Sequence, residues 1–214
     1  PHGRGDRGSP PVSRQMHAPL SSDLLRLAVA VVRFLPGALD EFASRAGSAP
    51  LDRACREVLL QSHLFCGFPR TIAALDHLSA AGVDLSPSPA PEAAPGDPEK
   101  GAALFDRIYG ERAAEVREHL ANLDPDLAEV VAAHAYGTVL SRGGLDARAR
   151  ELLAVVMLSA TGHARQLASH ARGAIRCGAT PGEVTQALDA VTDLVSPEDM
   201  ARAREVVARF TYQD

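Results

Sequence analysis

Apolar residues recur at helical spacing along most of this chain, and that periodicity constrains its fold more than any other feature. The first periodic segment follows the helix-capping run at 21–23. Its apolar members are Leu24, Leu25, Leu27, Ala28, Val31, Val32 and Leu35. Gly or Pro separates most of the later segments from one another, and no alternating strand of useful length occurs. The sequence therefore predicts an all-α fold.

The predicted helices fall into two groups on either side of a proline-rich segment. The N-terminal group covers 21–35, 38–46, 51–65 and 70–81. The C-terminal group covers 98–109, 111–120, 125–141, 146–161, 163–177, 181–194 and 197–212. Residues 83–97 contain four prolines and small residues, which indicates a semi-rigid linker. Residues 1–19 lack periodicity and predict a disordered tail. The predicted units are therefore 20–82 and 98–212.

Composition excludes several functional classes. The net charge of −5 argues against a nucleic-acid surface, and no apolar run approaches the ~20 residues that span a bilayer. The three cysteines, Cys55, Cys66 and Cys177, form no CxxC pair, so neither a disulfide framework nor a thiolate zinc site is expected. A reducing, cytoplasmic compartment follows as the default expectation.

One cluster of polar residues has the composition of an acid–base site. His163, Gln166 and His170 are three and four positions apart, so they share one helix face. Glu151 lies one helix earlier, and a turn at Gly162 allows it to approach that face. A carboxylate that orients an imidazole is a common proton-transfer arrangement. The alternative is that these histidines are ordinary surface or hydrogen-bonded core residues.

A metal ion is not expected at this cluster. The two histidines are about 10 Å apart along the axis at 1.5 Å per residue, which is too far for one ion. Nearby arginines provide candidate binding groups for a carboxylated substrate, although most helix arginines are simply solvated. These arginines are Arg142, Arg148, Arg150, Arg165 and Arg172.

Over 98–209 the chain carries a series of ordered markers. They are Lys100-Gly101, Tyr109-Gly110-Glu111-Arg112, the run Tyr136–Arg142, Gly144-Leu145, Arg150, Gln166-Leu167, His170, Ala174 and Gly178. In order and spacing they resemble the carboxymuconolactone decarboxylase family, within the alkylhydroperoxidase-like all-helical superfamily. The resemblance implies the helical bundle of that superfamily.

Two further features suggest a tandem arrangement of this family's units. The family's aromatic-x-Gly-x-Pro element is missing from the second half, but it occurs in the first half as Phe65–Pro69. A weak internal repeat also relates the turn at 47–50 to the turn at 178–181. By resemblance, such a two-unit chain implies a homotrimer with pseudo-hexameric symmetry.

The resemblance implies a cofactor-free decarboxylase, a carboxy-lyase of aromatic-compound catabolism that acts on a small carboxylated lactone or oxo-acid such as 4-carboxymuconolactone. In this reading His170 donates a proton and is oriented by Glu151. His163 and Gln166 are donors near the developing oxyanion, and Arg142 or Arg150 holds the substrate carboxylate.

Three alternatives remain open at this stage. The chain could be a lyase or isomerase for another small acid, an alkylhydroperoxidase-type oxidoreductase, or a non-catalytic oligomeric binding protein. The redox alternative is disfavoured, because His163 and Gln166 occupy the CxxC positions of the redox branch and a dithiol cycle needs two sulfurs in contact.

Overall fold

The structure, a computed structural model, describes residues 20–86 and 95–211. Within these ranges the chain is helical and contains no β-strand, which confirms the predicted all-α fold. The predicted tail at 1–19 and most of the predicted linker lie outside the described residues. The division into units at 20–82 and 98–212 stays a prediction.

Ten α-helices, a π-helix and two short 3-10 turns make up the described part of the chain. The α-helices are α1 Ser22–Arg33, α2 Pro36–Ala46, α3 Arg53–Ala80, α4 Pro98–Tyr109, α5 Ala113–Leu123, α6 Pro125–Val130, α7 Ala147–Ala160, α8 Ala164–Arg176, α9 Pro181–Asp189 and α10 Pro197–Thr211. The π-helix, Val131–Leu140, continues α6. The 3-10 turns are Gly110–Arg112 and Thr192–Leu194.

The boundary between α1 and α2 differs from the predicted one. Phe34 ends α1, because its φ of 50° lies in the left-handed region. Pro36 then opens α2 at its first turn instead of closing α1. Proline is well placed there, since its fixed φ suits a helix start and the missing N–H has no partner in the first turn.

The predicted break after Phe65 is present as a kink inside α3. Gly67 has φ 75° and ψ 165°, and Pro69 opens the second half of the helix two residues later. The left-handed φ favours glycine, which has no Cβ to clash with its own backbone. The predicted helices at 51–65 and 70–81 thus correspond to the two arms of α3.

The predicted helix at 125–141 is α6 followed by the π-helix, and two contacts fix the position of this segment. A Cβ on Gly101 of α4 would lie 2.6 Å from the carbonyl carbon of Tyr136, so only glycine permits such a close crossing. On the other side, the imidazole rings of His63 and His134 approach to 2.7 Å and link α3 to the π-helix.

Helices from both halves of the chain share one hydrophobic core. Leu27, Leu39 and Val58 from α1–α3 pack in the same cluster as Leu153 of α7 and Leu188 of α9. A smaller cluster joins α4 to the π-helix through Phe105, Ile108 and Tyr136, among other residues. The α7–α8 hairpin is therefore supported by both halves of the chain.

Helix α3 and the α7–α8 pair have corresponding features at nearly equal spacing. Each begins with a capping aspartate and has a buried glutamate five residues later. Each segment contains one glycine with positive φ at an internal break, and a second glycine with positive φ lies just after its C-terminal end. The corresponding pairs are Asp52 and Asp146, Glu57 and Glu151, Gly67 and Gly162, and Gly82 and Gly178. In this alignment of the two helical segments Gly178 corresponds to Gly82, whereas the weak repeat in the sequence aligned it with Gly47. The tandem organisation stays a prediction.

A buried charge network connects α3 to α7. Glu57, which is 3% exposed, accepts hydrogen bonds from Arg150 at 2.8 Å and from Arg142 at 3.0 Å. Gln61 donates to the Arg150 carbonyl at 2.9 Å and accepts from its guanidinium at 3.1 Å. Removing one partner from such a network is costly, because the remaining charges stay away from water without compensation.

We therefore expect Glu57→Gln to lower the free energy of unfolding by about 3 kcal/mol, as is typical when a buried ion pair is broken. Urea unfolding followed by circular dichroism measures this change. The matched control is Glu198→Gln, which removes an 83% exposed carboxylate from its pair with Arg202. An exposed pair of this kind contributes about 1 kcal/mol or less. Equal losses in the two variants would contradict the assigned role of the network.

Candidate active site

Glu151 and His170 form a hydrogen-bonded pair between adjacent helices. Helices α7 and α8 are joined by a tight turn in which Gly162 has φ 74°, so they pack side by side. His170 Nδ1 lies 3.0 Å from Glu151 Oε2. The two side chains are 12% and 1% exposed. The structure thus brings together the carboxylate and the imidazole that the sequence placed at one site.

Gly173 makes room for this carboxylate. It lies three residues after His170, on the same face of α8. A Cβ at this position would clash with Glu151 Oε2 and would lie 2.8 Å from the Ile108 side chain. Glycine at position 173 therefore lets the Glu151 carboxylate lie against α8 and reach His170.

The pair raises the pKa of His170 above its ordinary value of 6.5. Burial is the largest influence and by itself lowers this pKa, because it disfavours the charged imidazolium. The negative charge of Glu151 and its hydrogen bond outweigh the effect of burial. Since Glu151 occupies Nδ1, Nε2 is the ring nitrogen left to exchange a proton with a ligand.

The exposed side of the pair faces a cavity of about 850 Å³. Its walls come from α3, α5, the π-helix and α8, and His163 and Gln166 line it together with His170. His163 is also held by Thr161 Oγ1 at 2.9 Å. Phe65 of α3 makes an edge-to-face contact with His170, with ring centroids 6.2 Å apart. The N-terminal half of the chain therefore contributes part of the cavity wall.

The predicted substrate-binding arginines are not among the described residues that line the cavity. Arg142 and Arg150 belong to the buried network around Glu57, where their guanidinium groups are engaged by protein partners. Four other described arginines line the cavity: Arg112, Arg165, Arg172 and Arg176. Arg165 and Arg172 were among the wider set of candidates, but sequence spacing alone did not separate cavity arginines from those that pair across helices.

Tyr109 and Tyr136 are polar residues of the cavity to which the sequence analysis gave no role. The Tyr136 hydroxyl donates to the Tyr109 hydroxyl at 3.2 Å, and both residues line the cavity. Burial is the main cause that raises both pKa values, and the one for Tyr136 lies well above 10. Both phenols therefore stay neutral, and the Tyr109 hydroxyl keeps its own proton to donate. Both tyrosines belong to the ordered sequence markers, but only the fold shows that their hydroxyl groups meet.

Comparison with known proteins agrees with this geometry. Residues 125–209, the segment that carries Glu151, His163, Gln166 and His170, match the sequence model of the Carboxymuconolactone decarboxylase family. This segment of the chain belongs to the carboxymuconolactone decarboxylase family. Peroxisomal protein 2 of Schizosaccharomyces pombe is 30% identical over 136 residues, which are 62% of this chain and 64% of that protein. The chain thus matches less than two thirds of this relative's length.

The three cysteines of the chain do not form a thiol site in the cavity. Burial is the largest cause of the raised pKa of all three thiols, which reaches about 12 for Cys55 and about 11 for Cys177. None of the three is among the described residues that line the cavity. A reactive cysteine needs the thiolate form and access to solvent, and these surroundings oppose both.

Neither a metal-binding cluster nor a membrane-spanning helix occurs in the described part of the chain. Residues 20–86 and 95–211 contain no group of three or more His, Cys, Asp or Glu side chains placed to hold a metal ion. No helix in these ranges is long and apolar enough to cross a membrane.

We expect Glu151→Gln to lower the pKa of His170, because the variant loses the negative charge while burial, which acts in the opposite direction, remains. Any step that needs the imidazolium proceeds fully below the His170 pKa and slows as pH rises through it. The alkaline limit of activity therefore moves to lower pH in the variant. An NMR titration of the His170 ring measures the shift directly, and an unchanged pKa would contradict the pairing.

Gly173→Ala is expected to displace the Glu151 carboxylate, and thus to lower the His170 pKa in the same direction as Glu151→Gln. Gly37→Ala is the matched control, since a Cβ there meets nothing within 4 Å. That control should leave the pKa unchanged and alter stability by at most about 1 kcal/mol. If Gly173→Ala left the His170 titration as in the wild type, the proposed steric role of Gly173 would be wrong.

Proposed function

We propose that this protein is a cofactor-independent decarboxylase that acts on a small carboxylated lactone or oxo-acid. The observation that carries the proposal is the buried Glu151–His170 pair at the wall of an arginine-lined cavity. The paired imidazole supplies a proton, and the guanidinium groups supply counter-charges for an anionic substrate. The family of residues 125–209 agrees with this chemistry, and the reaction itself is our inference.

The reaction begins with cleavage of the carbon–carbon bond to the substrate carboxylate. Carbon dioxide leaves, and the electron pair of that bond passes into a conjugated carbonyl group, where it forms an oxyanion. The Tyr109 hydroxyl and the Gln166 side-chain amide, with His163, are donors in the cavity for this oxyanion. The charge is thus spread over fixed donors in a partly water-excluded site.

Protonation at carbon completes the reaction. His170 donates the proton from Nε2, and Glu151 stabilises the imidazolium before the transfer and orients the ring. The site takes up one proton for each carbon dioxide released, so His170 is recharged from solvent through the open side of the cavity. Arg172 or Arg165 replaces Arg142 and Arg150 as the group that holds a substrate anion.

The test is carbon dioxide release from enzymatically generated 4-carboxymuconolactone. We expect turnover by the wild type and a loss of about 10²–10⁴-fold in His170→Ala, the typical contribution of one acid–base group. The control is His77→Ala, which removes an imidazole that pairs with Asp40 outside the cavity. Turnover that survives in His170→Ala would refute the assigned role.

A negative result with the wild type would favour a different acid, and with it the lyase or isomerase alternative. The redox alternative is tested by a variant that lacks Cys66, which follows the cavity residue Phe65 and is the least buried of the three cysteines. We expect Cys66→Ser to retain full activity, because the proposed chemistry uses no thiol. A peroxidase activity that disappears in this variant would contradict the decarboxylase proposal.

We retain the homotrimer with pseudo-hexameric symmetry as part of this proposal, and light scattering that showed a monomer would overturn it. The cytoplasmic location also stays a proposal. The name of the Schizosaccharomyces pombe relative refers to the peroxisome, and that wording applies to the relative alone.

A further inference from the structure

One wall of the cavity is apolar over a long distance. Val116, Leu120 and Leu123 line it from successive turns of α5. Val116 and Leu123 are about 10 Å apart along the helix axis at 1.5 Å per residue. Leu64 of α3 and Val131 of the π-helix also line the cavity. Together these five residues, here called the apolar wall, border far more of the cavity than a compact polar acid would touch.

The volume of the cavity leads to the same conclusion. At about 850 Å³ it lies in the upper part of the range of roughly 300–1,000 Å³ that holds drug-sized ligands. A small carboxylated lactone is much smaller than such a ligand. It would leave the apolar wall in contact with water, which is the less favourable state for apolar surface.

The arginines that line the cavity lie mainly on α8, while Glu115 and Glu118 of α5 also line it, and Glu115 pairs with Arg112 at 2.7 Å. Arg172 and Arg176 lie on α8 with His170, and Arg112 immediately precedes α5. Burial is the largest cause that lowers the pKa of Arg172, and the positive charges of Arg112 and Arg176 lower it further. The Arg172 guanidinium lies over the ring of Phe210, 4.7 Å from its centroid. A substrate carboxylate would compensate the positive charges of Arg172 and Arg176.

We propose, on the basis of the proposed function of the same site, that the substrate is an amphipathic carboxylate. Its charged end lies against the arginines and His170, and an alkyl or aryl part extends along the apolar wall. A second copy of the chain is the competing occupant of the wall, because Leu123 is 65% exposed. The adjacent guanidinium groups favour the acid, since an anionic end matches them and an apolar surface of a second copy does not.

The experiment measures binding of butanoate, hexanoate and octanoate by isothermal titration calorimetry. Each methylene group that enters the apolar wall should tighten binding by about two- to four-fold, so octanoate should bind at least about ten-fold more tightly than butanoate. Octan-1-ol, which has the chain but no charge, should bind more weakly than octanoate. Equal affinities for the three acids, or equal affinities for octan-1-ol and octanoate, would overturn the proposal.

Variants separate the two ends of the site. Leu120→Asp should abolish the dependence on chain length, and Leu123→Asp, at an exposed position that tolerates a charge, should weaken it. Arg172→Gln should weaken all three acids by a similar factor. Ile72→Asp is the control, because Ile72 is a 53% exposed apolar residue of α3 outside the lining of the cavity. Ile72→Asp should leave the affinities for the three acids as in the wild type. A loss of chain-length dependence equal to that in Leu120→Asp would refute the role of the apolar wall.

Coverage of the apolar wall by a second copy of the chain would give a different result in the same experiments. If a second copy covers the apolar wall, the wild type binds the three acids with equal affinity, and Leu120→Asp changes the oligomeric state in light scattering. That result overturns the proposal. Failure of the proposed function is distinguishable, because the chain-length dependence then persists while no acid releases carbon dioxide.

Discussion

The site depends on a carboxylate held almost completely out of water. Glu151 is 1% exposed, and its environment is favourable because His170 lies 3.0 Å away. A carboxylate in such a position requires a partner that can carry positive charge, and this imidazole can do so and can also release a proton into the cavity. The same contact therefore stabilises the α7–α8 hairpin and, in the function that we propose, prepares His170 for proton transfer. Its contribution to folding is present at low pH and is lost as pH rises through the His170 pKa.

The two buried glutamates show how one local arrangement serves two purposes. Glu57 and Glu151 occupy corresponding positions in α3 and α7, yet Glu57 is surrounded by guanidinium groups that keep their protons at any ordinary pH. Its network can hold helices together but cannot transfer protons. At Glu151 the partner is an imidazole that can gain and lose a proton, and it faces a cavity. The difference in function follows from the identity of the partner and its access to the cavity.

Local sequence signals predicted most of the fold. Helical periodicity, the capping run at 21–23 and the Gly and Pro breaks act over a few residues, so they placed the helices and the turn at Gly162 without any tertiary information. The π-helix and the start of α2 at Pro36 were not predicted. The first depends on the close crossing of Gly101 and Tyr136, and the second on the left-handed conformation of Phe34, which no turn signal marked.

The candidate site was predictable only where its residues lie on adjacent helices. His163, Gln166, His170 and Glu151 could be grouped from spacing and one turn. The position of Arg142 and Arg150 could not be predicted, because their partner, Glu57, lies about 90 residues away in α3. The meeting of Tyr109 with Tyr136 and the contribution of Phe65 are likewise long-range contacts. The role of Gly173 depends on an absent side chain, which becomes visible only beside its neighbour across the helix interface.

The measurement that tests this account most directly is the ¹⁵N chemical shift of both ring nitrogens of His170 in the wild type at pH 6.5, assigned by comparison with His170→Ala. The account predicts that more than half of the molecules carry protons on both nitrogens, because the pKa lies above 6.5. It also predicts that Nδ1 keeps its proton at higher pH, where Nε2 has lost its own. A ring that is mainly neutral at pH 6.5, or that is protonated on Nε2 alone, would contradict the claim that Glu151 prepares His170 as the proton donor.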